Sequence, residues 1–296
     1  MNSIIKPVIT DYNTNILLLE ELMKEFPFLH TEIQGRSALG RGIFSFSIGK
    51  SSNSALAVGG FYGTDFLSSL LLMLFTERLC RSVKYGSQMC GTDVKKALSQ
   101  VGITIIPCIN PDGREIAIKG FESAKNLCSY LSDISPEGYE NWKANAFGTD
   151  ISRNFSKGWP QYHQREYENG CAVPSAAGCS GEYAESEAET RVLTRLCRLK
   201  SFTRCISLSH GKNKLCHYAS EDTPAASAMM GKILADSASC IFTQGDYTDG
   251  DATFGRWFSE EFSRPAFSLG FEGGFPDELY RVYERIEEAL LLFLLF

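Results

Sequence analysis

Apolar residues recur with two periods along the chain, and those periods predict its elements. Between residues 12 and 28, Ile16, Leu17, Leu19, Leu22, Met23 and Phe26 share one helical stripe, which Pro27 closes. Residues 30–34 and 43–48 flank Gly35, Gly40 and Gly42 and predict a hairpin-like pair of strands. The run over 55–61 ends in Gly59-Gly60, as a buried strand entering a tight loop would. Residues 66–79 are apolar on nearly every side, which predicts a buried helix with Asp65 as its N-cap. A further buried strand over 101–108 runs into Asn110-Pro-Asp-Gly113, a turn signal.

Beyond it the pattern thins. Residues 120–185 are rich in Gly, Ser, Asn and Tyr and predict long loops with short elements. Periodicity returns as a helix over 185–198, with a capping box from Ser186 to Glu189. A strand over 201–208, a helix over 224–239, a strand over 265–271 and a final helix over 277–296 follow. Strands alternating with helices predict an α/β fold with a largely parallel sheet covered on both faces. No repeat or linker interrupts the chain, so residues 1–296 are expected to form a single domain.

Composition narrows the function classes. Apolar residues at 44% and charged residues at 22% exclude a disordered chain, a collagen and a coiled coil. Asp and Glu number 35 against 29 Lys and Arg, for a net charge of −6. That balance speaks against a dedicated nucleic-acid binder, which needs a basic surface. No stretch approaches the roughly 20 apolar residues that span a bilayer, and the run at 289–296 reads as the buried end of a helix. The first residues lack the apolar core of a signal peptide, so a cytoplasmic location and no membrane partner are expected. The ten cysteines include no Cys-x-x-Cys pair. Cys108, Cys205 and Cys216 lie in apolar segments and are expected as small core residues. Cys171 and Cys179 share a loop, but in a reducing compartment they are expected as thiols.

Six stretches then recur in an order that resembles the zinc metallocarboxypeptidase family. They are Gln34-Gly-Arg-Ser-Ala-Leu-Gly-Arg41, Gly59-Gly-Phe-Tyr-Gly-Thr-Asp65, Ile106-Pro-Cys-Ile-Asn-Pro-Asp-Gly113, Asp150-Ile-Ser-Arg-Asn-Phe155, Ser186-Glu-Ala-Glu-Thr190 and Pro265-Ala-Phe-Ser-Leu269. Trp142-Lys-Ala-Asn145, ahead of Gly148-Thr-Asp150, is similar to bacterial enzymes that cut γ-D-glutamyl–diamino-acid bonds in peptidoglycan peptides. The resemblance implies an α/β sandwich whose mixed, mostly parallel twisted sheet lies between helices. It places the site in the crevice beyond the carboxyl ends of the strands.

The resemblance also implies a chemistry: zinc on three protein ligands, a general base and a cation for the oxyanion. It puts Tyr62, Asp65 and Leu208 at the ligand positions and Gly270 at that of the catalytic glutamate. Phe147 falls at the oxyanion arginine and Ser152 at a binding asparagine. Arg153, Asn154, Phe147 and Tyr247 are then the candidate substrate-binding residues, with Arg153 able to grip a carboxylate bidentately. His210 follows Leu208 by two residues and Glu272 follows Gly270 by two, so each shares a strand face with the family position. Asp65 and His210 are therefore the plausible metal ligands, and Glu272 the plausible catalytic carboxylate. His30, His163 and His217 have no partner at ligand spacing and are expected on the surface or in loops.

Three readings follow. In the first, the chain is a catalytically impaired carboxypeptidase-fold protein that binds a peptide or a peptidoglycan-derived fragment, with zinc absent or weakly bound. In the second, it is an active zinc peptidase with rearranged ligands. In the third, it is a structural or regulatory subunit whose crevice is filled by Tyr62, Phe147 and Leu208.

Overall fold

The computed structural model describes residues 3–245 and 250–296. Helix α1 (Tyr12–Glu25) precedes the antiparallel pair β1 (His30–Arg36) and β2 (Gly42–Gly49), then β3 (Ser54–Val58) and α2 (Phe66–Tyr85). A small hairpin, β4 (Gln88–Met89) and β5 (Thr92–Asp93), leads into α3 (Val94–Leu98) and β6 (Gly102–Ile106). Next come α4 (Pro111–Lys119), α5 (Cys128–Ile134), α6 (Trp159–Glu168) and α7 (Ala188–Leu199). The chain continues through β7 (Arg204–His210), β8 (Lys214–Tyr218), α8 (Ala226–Ser237) and β9 (Ile241–Gln244). It closes with α9 (Phe254–Phe262), β10 (Ala266–Phe271) and α10 (Leu279–Leu295).

Eight strands form one mixed sheet in the order β1-β2-β6-β3-β7-β10-β8-β9. The β6-β3-β7-β10 centre is parallel, as is the β8-β9 pair, while β1-β2, β2-β6 and β10-β8 are antiparallel. Alternation along the central strands feeds two cores. Ala55 and Ala57 of β3 and Ile206 and Leu208 of β7 meet α2 and α10 on one face. Leu56, Val58 and Cys205 meet α7 and α9 on the other. Helix α2 is buried over most of its circumference, as its apolar sequence requires. Asp65 caps it by accepting from Ser68 N at 3.1 Å, an interaction worth about 1 kcal/mol.

The chain reaches the crevice through Gly60, whose φ of +63° is left-handed. A Cβ there would stand 2.8 Å from Ser69 Oγ and 2.9 Å from Cys108 Cα, so only glycine lets this loop pass so close to α2. At the opposite end of the sheet, Arg204 donates to the carbonyls of Phe293, at 2.7 Å, and Leu294, satisfying the last turn of α10.

Several expected features take another form. Asn110-Pro-Asp-Gly113 is the start of α4, not a turn: Asn110 caps it through Gly113 N, and Pro111 fills the first helical position. No capping box forms at α7, because Glu187 is the N-cap and Glu189 turns inward to Asn145. Strands β8 and β9 and helices α6 and α9 were not expected; their apolar positions are sparse or aromatic. His217, expected on the surface, is buried on β8 between two partner strands and bonds Ser227 Oγ. Cys205 is buried as expected, Cys108 and Cys216 are partly buried, and all ten cysteines, Cys171 and Cys179 included, are thiols.

Candidate functional site

A polar network lies behind the crevice, and the motif residues build it. Asp112 of α4 is buried and accepts from Arg41 Nη1 at 2.7 Å, Ser37 Oγ at 2.8 Å and Leu39 N at 2.8 Å. Asn110 donates to the carbonyls of Phe61 and Ala144. Asn145 reaches Glu187 Oε2 at 2.6 Å and Glu189 Oε2 at 3.3 Å. Glu189 is fully buried; desolvation, with the charge of Asp112 added, pushes its pKa up to about 7. Asn154 donates to Ser180 O, Tyr183 O and Ser186 Oγ and accepts from Glu187 N. The network pins the loops carrying residues 34–41, 59–65, 142–155 and 185–189 to one another.

In front of it, an open cavity of about 140 Å³ lies at the carboxyl ends of β3, β7 and β10. Phe61, Tyr62, Ser152, Arg153, Ser207, Ser209, Tyr218, Thr253, Phe254, Gly255 and Ser268 line it. Ser152 Oγ bonds the Tyr62 hydroxyl at 3.2 Å and donates to Asp150 Oδ1 at 2.6 Å. Burial, helped by the Asp150 charge, pushes the Tyr62 phenol up to about 12. Arg153 stacks over Tyr162 at 5.1 Å and donates through Nη1 to Asp251 O at 3.2 Å. The cavity thus offers a guanidinium, several hydroxyls and two aromatic walls.

The structure brings together only part of the expected set. Tyr62, Ser152 and Arg153 line the crevice. Leu208 does not: it is fully buried in the α2 core on the opposite face of β7. The crevice positions of β7 are Ser207 and Ser209, one residue out of the expected register. Phe147 is 44% exposed outside the cavity, its amide held by Asn145 Oδ1. Asn154 is buried, and its amide group is committed to the network and not to a ligand. Gly270 has an ordinary φ, yet a Cβ there would stand 2.5 Å from Lys212 O. Tyr247 lies outside the described residues.

The side chains of the displaced trio do not converge on one point. Asp65 is buried, with Oδ1 accepting from Ser68 N and Oδ2 from the backbone amide of His210 at 3.1 Å. Burial raises its pKa. The imidazole of His210 is exposed beside Gly274, and Glu272 is exposed with its amide on Asn213 Oδ1. His30 is exposed, and His163 stacks on Trp159 at 4.4 Å. Sequence reasoning missed Lys143, whose Nζ stands 5.7 Å from the ring centre of Tyr62 and so sets a cation beside one of the crevice walls. Its place next to Trp142 in the Trp-Lys-Ala-Asn stretch was the signal that could have found it.

Zinc needs three strong donors converging on one point. Burial pushes the Tyr62 phenol up to about 12, the carboxylate of Asp65 is spent on two backbone amides, and the serines offer neutral hydroxyls. Among the described residues, no three His, Cys, Asp or Glu side chains are grouped as a metal would require. This donor set does not fit zinc.

Comparison with known proteins places the chain in context. Residues 16–249 match the sequence model of the zinc carboxypeptidase family. The gamma-D-glutamyl-L-diamino acid endopeptidase 1 of Lysinibacillus sphaericus is 21% identical over 289 residues, covering 96% of this chain and 71% of that protein. Carboxypeptidase A from Helicoverpa armigera superposes with a TM-score of 0.71 at 15% identity, over 98% of this chain and 73% of the other. Murein-tripeptide amidase from Escherichia coli O157 gives a TM-score of 0.55 at 19% identity, over 88% and 91%.

Proposed function

The chain belongs to the zinc carboxypeptidase family, and on that footing we propose that its crevice binds a peptide or a peptidoglycan-derived peptide fragment without hydrolysing it. The observation that carries this reading is the chemistry of the lining: hydroxyls from Tyr62, Ser207, Ser209 and Ser268 surround a cavity with a guanidinium at one side. Hydroxyls both donate and accept, which suits the N–H and C=O groups of a peptide. Arg153 supplies the charge for a terminal or γ-linked carboxylate. Phe61 and Phe254 supply apolar walls for the ligand body.

Hydrolysis asks for more than this lining offers. Asp65 is held by backbone amides, and Asp150 accepts from Ser152 and from Gly178 N, so neither carboxylate is poised over the cavity as a base. Relatives named for cutting gamma-D-glutamyl-L-diamino acid and murein-tripeptide substrates point to the ligand class. The cavity is open, and neither Phe147 nor Leu208 enters it, which favours a binding role over a subunit with a filled crevice.

Calorimetry with a γ-D-glutamyl-diamino-acid peptide tests this, comparing the protein with Arg153→Ala. A charge-assisted contact is worth about 1.5–3 kcal/mol, so the variant is expected to bind roughly 10- to 100-fold more weakly. Equal affinity would remove Arg153 from the role. Turnover of the peptide by zinc-supplemented protein would instead establish the active peptidase with rearranged ligands.

A further inference from the structure

A second cavity, of about 180 Å³, adjoins the crevice, and among the described residues Tyr218 is the one residue that lines both. The crevice runs across neighbouring strands: Tyr62 follows β3, Ser207 and Ser209 lie on β7, Ser268 on β10 and Tyr218 on β8. Arg153 stands at the Tyr62 end, where its charge acts on the phenol and the neighbouring Ser152 bonds the hydroxyl. Tyr218 stands at the other end and deeper, because it pairs with Ala266, two residues before Ser268 on β10. A Cβ on Gly245 would lie 2.8 Å from Tyr218 Cδ1, and one on Gly255 would lie 2.5 Å from its Cδ2. The two glycines therefore bracket opposite edges of the ring, and a side chain at either position would displace it. The ring is thus fixed as a partition. Behind it, Gln244, Arg256 and Glu260 line the second cavity, with Arg256 Nε donating to Glu260 Oε1 at 2.6 Å.

We propose that Tyr218 sets the length of side chain that the crevice accepts, so that the bound peptide carries a diamino acid whose distal amine is unmodified and not one acylated there. The proposal rests on the peptide-binding reading above and names the ligand more closely. At roughly 30 Å³ per water-sized group, a cavity of about 140 Å³ takes about five such groups, the span of one unbranched side chain ending in an amine. With the ligand's carboxylate on Arg153, that chain lies over Ser207 and Ser268, and its ammonium meets the Tyr218 ring in a cation–π contact. A further acyl residue on the amine runs into the ring. The room for it exists only on the far side, in the second cavity.

The probes are γ-D-glutamyl-L-lysine and the same peptide with glycine joined to the lysine Nε. Both carry one ammonium at the end of the side chain, so they differ in length and not in charge. By calorimetry the unaltered protein should bind the shorter peptide at least about tenfold more tightly, the usual cost of overfilling a packed site. Tyr218→Ala joins the two cavities and should bring the ratio to within about twofold, chiefly by tightening the longer peptide. Tyr218→Phe keeps the ring and should keep the ratio. Tyr218→Ala also removes packing against Gly245 and Gly255, but a general loosening would weaken both peptides together, so the ratio within each variant is the readout. Should that variant fail to fold, Tyr218→Leu, which retains an apolar side chain, takes its place beside the ratio of the unaltered protein. Equal affinity of the unaltered protein for the two peptides, or a ratio that shortening Tyr218 does not move, would overturn the proposal and leave the peptide-binding reading standing. No binding of either peptide would overturn both.

Discussion

The network behind the crevice and the lining in front of it come from the same stretches of chain, yet their chemistry differs. Behind, Asp112, Asn145, Asn154, Glu187 and Glu189 are buried and interlocked. In front, Tyr62, Ser207, Ser209 and Ser268 present hydroxyls to an open cavity. The first region is over-determined: each carboxylate or amide answers several groups from distant loops, so a change there propagates. The second is held in place by the first and can change its side chains without cost to the fold. That division is how one scaffold carries different chemistries. It also accounts for a family fold whose lining here presents hydroxyls and a guanidinium.

The largest test of the contrast is Asp112→Ala. It leaves Arg41, 15% exposed at its side chain, without its close partner and frees Ser37 Oγ and Leu39 N. Removing one member of a buried pair costs about 3–5 kcal/mol. Urea unfolding should show a loss of that order, against less than about 0.5 kcal/mol for Ser268→Ala at the cavity wall. Equal losses would mean that the lining, too, is structural.

The next test concerns the two faces of β7. Leu208→His puts an imidazole into the α2 core, which should cost on the order of 3 kcal/mol. Ser209→His places the same group in the cavity and should cost far less. Combined with Tyr62→His and Asp65→Glu, only the Ser209 version is expected to take up zinc, read by elemental analysis after dialysis. Zinc uptake by the Leu208 version alone would return the ligand position to Leu208.

That register shows what the sequence could and could not convey. The fold was legible because long apolar runs, such as those of α2, β3 and β6, specify burial whatever their neighbours do. Asp65 was legible as an N-cap because the bond is local. β7 was not, because Leu208 and Ser209 differ only in which face they take. That choice is set by pairing with Leu269 and Gly270 of β10, some sixty residues away. Asn154 and Phe147 misled for a related reason: a motif position names a residue, while only the surrounding loops decide whether its side chain meets a ligand or the interior. Lys143 was hidden in the same way, its closeness to Tyr62 arising from loops 80 residues apart.

The smallest of the expected effects probes the network through pH. Glu189 is buried beside Asp112 and Glu187, and its pKa rises from an ordinary 4.5 to about 7. Below pH 4.5 the folded and unfolded chains both hold this proton, so Glu189 contributes no pH dependence. Between about 4.5 and 7 the folded chain binds the proton and the unfolded chain does not, so stability falls as pH rises. Above 7 both forms have lost it, and the folded state carries a buried charge eased by Asn145 and Ala38 N. The full span is at most about 3 kcal/mol, less where the buried acids share protons. Glu189→Gln keeps the shape and cannot ionise. It should be about as stable as the unaltered protein at pH 4.5 and more stable at pH 8, by up to 2–3 kcal/mol. The difference between the two urea midpoints, followed from pH 4.5 to 8, isolates this one group from the other titrating carboxylates. A constant difference over that range would mean that Glu189 ionises normally, and that the network behind the crevice tolerates charge as readily as the lining in front.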